Sequence, residues 1–71
     1  MKPEEGTILA NGKQEQVQLP CSVAGFVAAR GWKPTQVVAE YNGRVLGRDE
    51  MGGVMLRNGD QLEVIVPVAG G

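Results

Sequence analysis

The sequence predicts an α+β domain, a five-stranded mixed sheet with one main helix across one face. Three observations carry that expectation. Asn11-Gly12 and Asn42-Gly43 each lie between apolar runs, the pattern of a tight hairpin, because a type I′ turn needs positive φ at both central residues. Between them, Val23, Phe26 and Val27 follow the i, i+3, i+4 spacing of a single apolar helical stripe. Near the end, Gln61 to Pro67 alternates, with Leu62, Val64 and Val66 on one side. One helix covers only one face of a sheet, so the architecture has two layers.

The elements follow in chain order. Residues 1–6 are polar and end in Gly6, so they read as a frayed lead-in to a domain spanning residues 7–67. Thr7 to Ala10 is β-prone and runs into the first Asn-Gly turn; Gln14 to Leu19 returns, and Pro20 ends it. Ser22 suits a helix N-cap, and Gly31 stands where a C′ glycine would stop a helix over about residues 23–30. Val37 to Tyr41 and Arg44 to Leu46 form the second hairpin. Arg48 to Gly53 is charged and broken by glycine, which suggests a flexible connection, after which Val54 and Leu56 drop back onto the core. Asn58-Gly59-Asp60 turns the chain into the last strand. The expected inner face is Ile8, Ala10, Val17, Leu19, Val23, Phe26, Val27, Trp32, Val37, Ala39, Leu56, Leu62, Val64 and Val66.

Size and charge narrow the function classes. With 71 residues the chain is one domain, and a domain this small has a marginal core and little room for a deep catalytic cleft. The net charge of −1 and scattered Lys and Arg argue against nucleic acid as a partner. No apolar stretch approaches the ~20 residues of a membrane span. The start lacks the order of a signal peptide, and the single Cys21 fits a reducing compartment. A cytoplasmic location is expected.

Side-chain chemistry is sparse. There is no His, hence no Ser-His-Asp or Cys-His site and no imidazole metal ligand. No metal site is expected: Asp49-Glu50 reads as a solvated loop face, and Gly47 to Gly53 lacks the Lys-Ser/Thr partner of a phosphate loop. Cys21 precedes the helix N-cap, where a dipole can lower a thiol pKa, but a small half-buried residue is the plainer reading. The terminal Val68-Ala69-Gly70-Gly71 is different. Two residues without Cβ make a thin thread able to enter a tunnel closed to ordinary side chains. The carboxylate at its tip is then expected to be a substrate for another enzyme.

Several segments bear on identity: Ala10-Asn11-Gly12-Lys13, Ser22-Val23, Val37 to Gly43 followed by Arg48, Leu56 to Val64, and the Gly-Gly end. In this order, in so short a chain, they resemble the ThiS family of sulfur carriers in thiamine biosynthesis, which have the ubiquitin-like β-grasp fold. The nearest relative within that fold is MoaD, the small subunit of molybdopterin synthase, which shares Gly59-Asp60 before the last strand and the Gly70-Gly71 end. The resemblance implies a carrier and not an enzyme. An E1-like adenylyltransferase (ThiF-like) would use ATP with magnesium to adenylate the Gly71 carboxylate. A persulfide from a donor such as a cysteine desulfurase would displace AMP and leave a thiocarboxylate. That sulfur would pass to the thiazole being built on a thiazole synthase (ThiG-like). Val68, Ala69 and Gly70 would thread the partner's tunnel, and no cofactor would be bound by this chain. Val38, Glu40, Ile65 and Pro67, outward and near the tail, are the expected docking patch, with Arg44 and Arg48 either at its rim or plain surface charges. The alternatives are a MoaD-like carrier for molybdopterin synthesis, a ubiquitin-like modifier joined to Lys amines, and a β-grasp interaction module with an inert tail.

Overall fold

A computed structural model describes residues 4–67. The elements are β1 (Glu4–Ala10), β2 (Lys13–Leu19), α1 (Val23–Ala29), a 3₁₀ turn (Pro34–Gln36), β3 (Val38–Tyr41), β4 (Arg44–Leu46) and β5 (Gln61–Ile65). They form a five-stranded mixed sheet in the order β2-β1-β5-β3-β4. The hairpins β1/β2 and β3/β4 are antiparallel, β5 runs antiparallel to β3, and β1 and β5 are parallel. Both hairpins turn where the Asn-Gly pairs predict, with positive φ at Asn11, Gly12, Asn42 and Gly43.

The helix is short and is closed at both ends. Ser22 Oγ accepts from the Gly25 N–H at 2.9 Å. The N–H groups of Val23 and Ala24 donate to the carbonyls of Val54 and Met51, at 2.9 and 3.0 Å. The Phe26 N–H makes the first intrahelical bond, to Ser22 C=O, so the three N–H groups of Val23, Ala24 and Gly25, which have no partner within the helix, are all satisfied from outside its ladder. At the other end Gly31, at φ 85°, donates to Ala28 C=O and Trp32 N–H donates to Val27 C=O. That is a Schellman closure, which requires a left-handed residue at this position.

The core contains Ile8, Ala10, Val17, Val23, Phe26, Val27, Val37, Ala39, Leu46, Met51, Leu56, Leu62 and Val64. Leu19, Trp32 and Val54 pack against it half-buried. The structure corrects the expected pattern at four places. First, β1 starts at Glu4 instead of Thr7, because Glu4 to Gly6 pair with Leu19 to Val17 of β2. Gly6 leaves room there for the Leu19 side chain, whose Cδ1 would lie 2.8 Å from an added Cβ and would have to shift. Second, the 48–53 stretch is an ordered turn: the Met51 carbonyl accepts from the first turn of the helix, and the Met51 side chain is 1% exposed. Third, Leu46 joins the core opposite Ala39. Fourth, β5 ends at Ile65, and Val66, expected inside, is 44% exposed. Pairing with β3 stops at Val38↔Ile65, and Pro67 has no N–H with which to prolong a ladder.

Candidate functional site

The centre of the sheet is its last strand, β5, which leads toward the C-terminus. Its start is anchored by Asp60, a buried polar residue. The Asp60 carboxylate accepts from Tyr41 Oη at 2.7 Å, from Asn42 Nδ2 at 3.1 Å and from the Arg57 N–H at 2.7 Å. Burial alone would raise its pKa, but the three hydrogen bonds outweigh it and hold the carboxyl below its ordinary range. The same contact raises the Tyr41 phenol, chiefly through its hydrogen bond to Asp60. A folded-state pKa below the unfolded one stabilises the protein above the unfolded value, and that stability is lost as pH falls through the folded value. The melting temperature is therefore expected to drop as pH falls below about 4, the unperturbed Asp value. Asp60→Asn should flatten this drop and cost about 1.5–3 kcal/mol at pH 7, the scale of a hydrogen-bonded charge. Thermal melts of both proteins from pH 2 to 7 check it.

Both turn asparagines grip β5. Asn42 Oδ1 accepts from Gln61 N–H at 2.8 Å, and the Asn42 N–H donates to Gln61 C=O at 2.9 Å. At the other end, Asn11 Oδ1 accepts from Val64 N–H at 2.7 Å, and Asn11 Nδ2 donates to Val64 C=O at 3.2 Å. The Asn-Gly signal foretold the turns and said nothing of these side chains, whose targets lie 19 and 53 residues away in sequence.

The face of the sheet opposite the core holds three of the expected docking residues together. Val38 and Ile65 are direct cross-strand partners, 39% and 53% exposed. Glu40 lies beside them on β3, opposite Glu63 of β5 and Val45 of β4. Pro67 is exposed but lies two residues past the strand. Val45, at 61% exposure, and Glu63 extend this surface and were absent from the expected patch. Strict alternation through Arg44-Val45-Leu46 with Leu46 inward would have found Val45. Arg44 lies apart from this face: it is paired with Glu50, Nη1 to Oε2 at 2.9 Å. Arg48 is exposed. Val68, Ala69, Gly70 and Gly71, the expected tail, lie outside the described residues.

The remaining candidates do not assemble a catalytic site. Glu50 Oε1 accepts from the Gly47 N–H at 2.9 Å, which with Arg44 lowers its pKa and closes the loop. Among the described residues no cluster of three or more His, Cys, Asp or Glu is placed to hold a metal. The Cys21 thiol points to Ser22 C=O at 3.3 Å, and burial raises its pKa, the reverse of activation by a helix end. It borders a shallow depression with Phe26 and Arg30. The Arg30 guanidinium lies 4.7 Å from the Phe26 ring centroid and pairs with Glu15. No helix among the described residues is long and apolar enough to cross a membrane.

Comparison with known proteins adds to this geometry. The sequence model of the ThiS family matches residues 6–71. The crystal structure of the thiamine biosynthesis protein ThiS from Geobacter metallireducens superposes with a TM-score of 0.76 at 26% identity, covering 92% of this chain and 99% of that one. A thiazole synthase of Magnetococcus marinus is 31% identical over 61 residues, which make up 86% of this chain. The chain spans about a fifth of that protein's length, 19%.

Proposed function

The chain belongs to the ThiS family, and on that premise we propose that it is a sulfur carrier of thiamine biosynthesis whose reactive group is the Gly71 carboxylate. The observation that carries this reading is the extent of the family match, which runs from residue 6 through Gly71 and so includes the Gly-Gly end. The absence of His from the chain supports the role of a co-substrate whose catalysts are its partners.

A carboxylate resists nucleophiles because of its charge, so it must first be activated. An oxygen of the Gly71 carboxylate attacks the α-phosphorus of ATP, pyrophosphate leaves, and an acyl-adenylate results. The terminal sulfur of a persulfide attacks the acyl carbon and AMP departs with the bonding pair. A thiol then cleaves the S–S bond of the acyl disulfide, supplying two electrons, and the thiocarboxylate is released. An E1-like, ThiF-like adenylyltransferase with ATP and magnesium suits the first step, and a cysteine desulfurase persulfide suits the second. A thiazole synthase suits the acceptor, because a protein of that name carries a segment like this chain.

The test is intact mass after incubation with the cognate adenylyltransferase, ATP and a persulfide donor. A gain equal to one sulfur-for-oxygen exchange is expected. An isopeptide-linked product would favour a protein modifier, and an unchanged mass would sink the carrier reading.

The open sheet face is the handle by which partners hold the domain. Ile65→Asp is expected to weaken binding to the adenylyltransferase at least tenfold, while costing about 1 kcal/mol of stability, the span of strand propensity, and leaving the domain folded. Titration calorimetry beside a thermal melt checks both. Normal binding, or an unfolded variant, counts against this face.

A further inference from the structure

β5 carries the chain out of the sheet toward Gly71, and on one of its edges the last contact comes from a side chain. The β1–β5 ladder ends with Ala10 opposite Leu62. The chain then turns away at Asn11, which is left-handed at φ 51°. From there its backbone N–H donates to Leu62 C=O at 2.9 Å, and its side-chain amide takes both the N–H and the C=O of Val64. A primary amide thus stands in for the peptide group of a strand residue that β1 does not have.

The residues just beyond Val64 give this clamp a longer reach. The opposite edge is held one residue later, at Ile65 against Val38. Next comes Val66-Pro67. The proline ring fixes its own φ and crowds the residue before it out of the helical region. A strand gripped on both edges therefore continues into two residues with restricted backbone angles, and the direction taken at Val64 is carried as far as Pro67.

We propose that Asn11 is a positioning residue for the reaction at Gly71: its amide sets the direction in which the chain leaves the sheet. The proposal rests on the carrier reading above. Asn42 is its internal control. It too is left-handed, at φ 48°, it too belongs to an Asn-Gly turn, and its amide too grips β5, but at the far end, at Gln61. Glycine accepts positive φ at either position, so Asn→Gly removes the amide without straining the backbone.

The experiment compares Asn11→Gly and Asn42→Gly with the parent. Pyrophosphate release by the cognate adenylyltransferase is followed with carrier concentration varied, at a temperature where circular dichroism shows each protein folded. Asn11→Gly is expected to lower kcat/KM by about tenfold or more, since misplacing a reacting group by 1 Å costs up to ~10²-fold. Asn42→Gly should stay within about twofold, because strand direction at Val64 is untouched. Amide hydrogen exchange should quicken at Val64 in the first variant and at Gln61 in the second. Should Asn11→Gly fail to fold, Asn11→Asp carries the test: it keeps the acceptor for Val64 N–H, loses the donor, and is expected to fall between Asn11→Gly and the parent. Parent-like kinetics for the Asn11 variant, or equal losses for the Asn11 and Asn42 variants, overturn the proposal. A parent that is never activated overturns the carrier reading, and this inference with it, so the parent's own rate separates the two failures.

Discussion

Deletion of Gly71 is expected to abolish sulfur loading and leave the melting temperature unchanged. The core of the described residues is complete between Ile8 and Val64, and stability is expected to rest there. The reactive carboxylate, by contrast, moves back by one residue, ~3.3 Å of extended chain. A shift of that size costs ~10²-fold or more when a reacting group must meet a fixed partner. Adding a residue after Gly71 should be equally damaging for the same reason. Gly70→Val should impair activation through bulk in a passage shaped for bare backbone. Cys21→Ser should be nearly silent, since burial raises the pKa of its thiol and disfavours the thiolate. Intact mass after loading reads all four. Sulfur retained by the Gly71 deletion and lost by Cys21→Ser would place the cargo on the side chain and end the carboxylate mechanism.

Phe26→Ala is expected to destabilise the domain by about 3–5 kcal/mol, through lost burial and the cavity left behind. The ring is 5% exposed in the core and also lies under the Arg30 guanidinium. Small proteins have only about 5–15 kcal/mol to lose. At about 4–8 °C per kcal/mol for a domain of this size, the melting temperature should fall by roughly 12 °C or more. A variant that melts like its parent would mean that the helix turns another face to the sheet.

The features legible in the sequence were those written in local periodicity. Asn11-Gly12 and Asn42-Gly43 marked turns because positive φ is a property of those residues. Val23, Phe26 and Val27 marked a buried stripe, and Leu62 and Val64 an inner strand face, because spacing alone sorts side chains between two sides. The misses all depend on distant partners. Met51 looked like part of a loose linker, yet its carbonyl accepts from Ala24 and its side chain fills the core. Val66 continued a perfect alternation past the point where the pairing with Val38 ends. The amides of Asn11 and Asn42 reach β5, and Asp60 collects donors from Tyr41, Asn42 and Arg57. Apart from the Arg57 N–H, three residues from Asp60, those contacts lie outside any window of neighbouring residues. Of the candidate site, alternation brought Val38, Glu40 and Ile65 to one face and would have added Val45 and Glu63, while the register of three strands set Val45 and Glu63 on either side of Glu40.

The strand order has a consequence for the chain as it is made. The two hairpins are not neighbours in the sheet; each is bonded to the central strand, which is the last of the five to be synthesised. Both hairpins are therefore synthesised before the strand that joins them in the sheet exists. A chain interrupted before β5 has two hairpins with no strand between them to join them into a sheet, and a two-stranded hairpin is at best marginally stable in water. Completion of the sheet and arrival of the tail-bearing strand are thus one event. A partner docked on the assembled sheet, as proposed above, would engage only chains finished at least through Ile65.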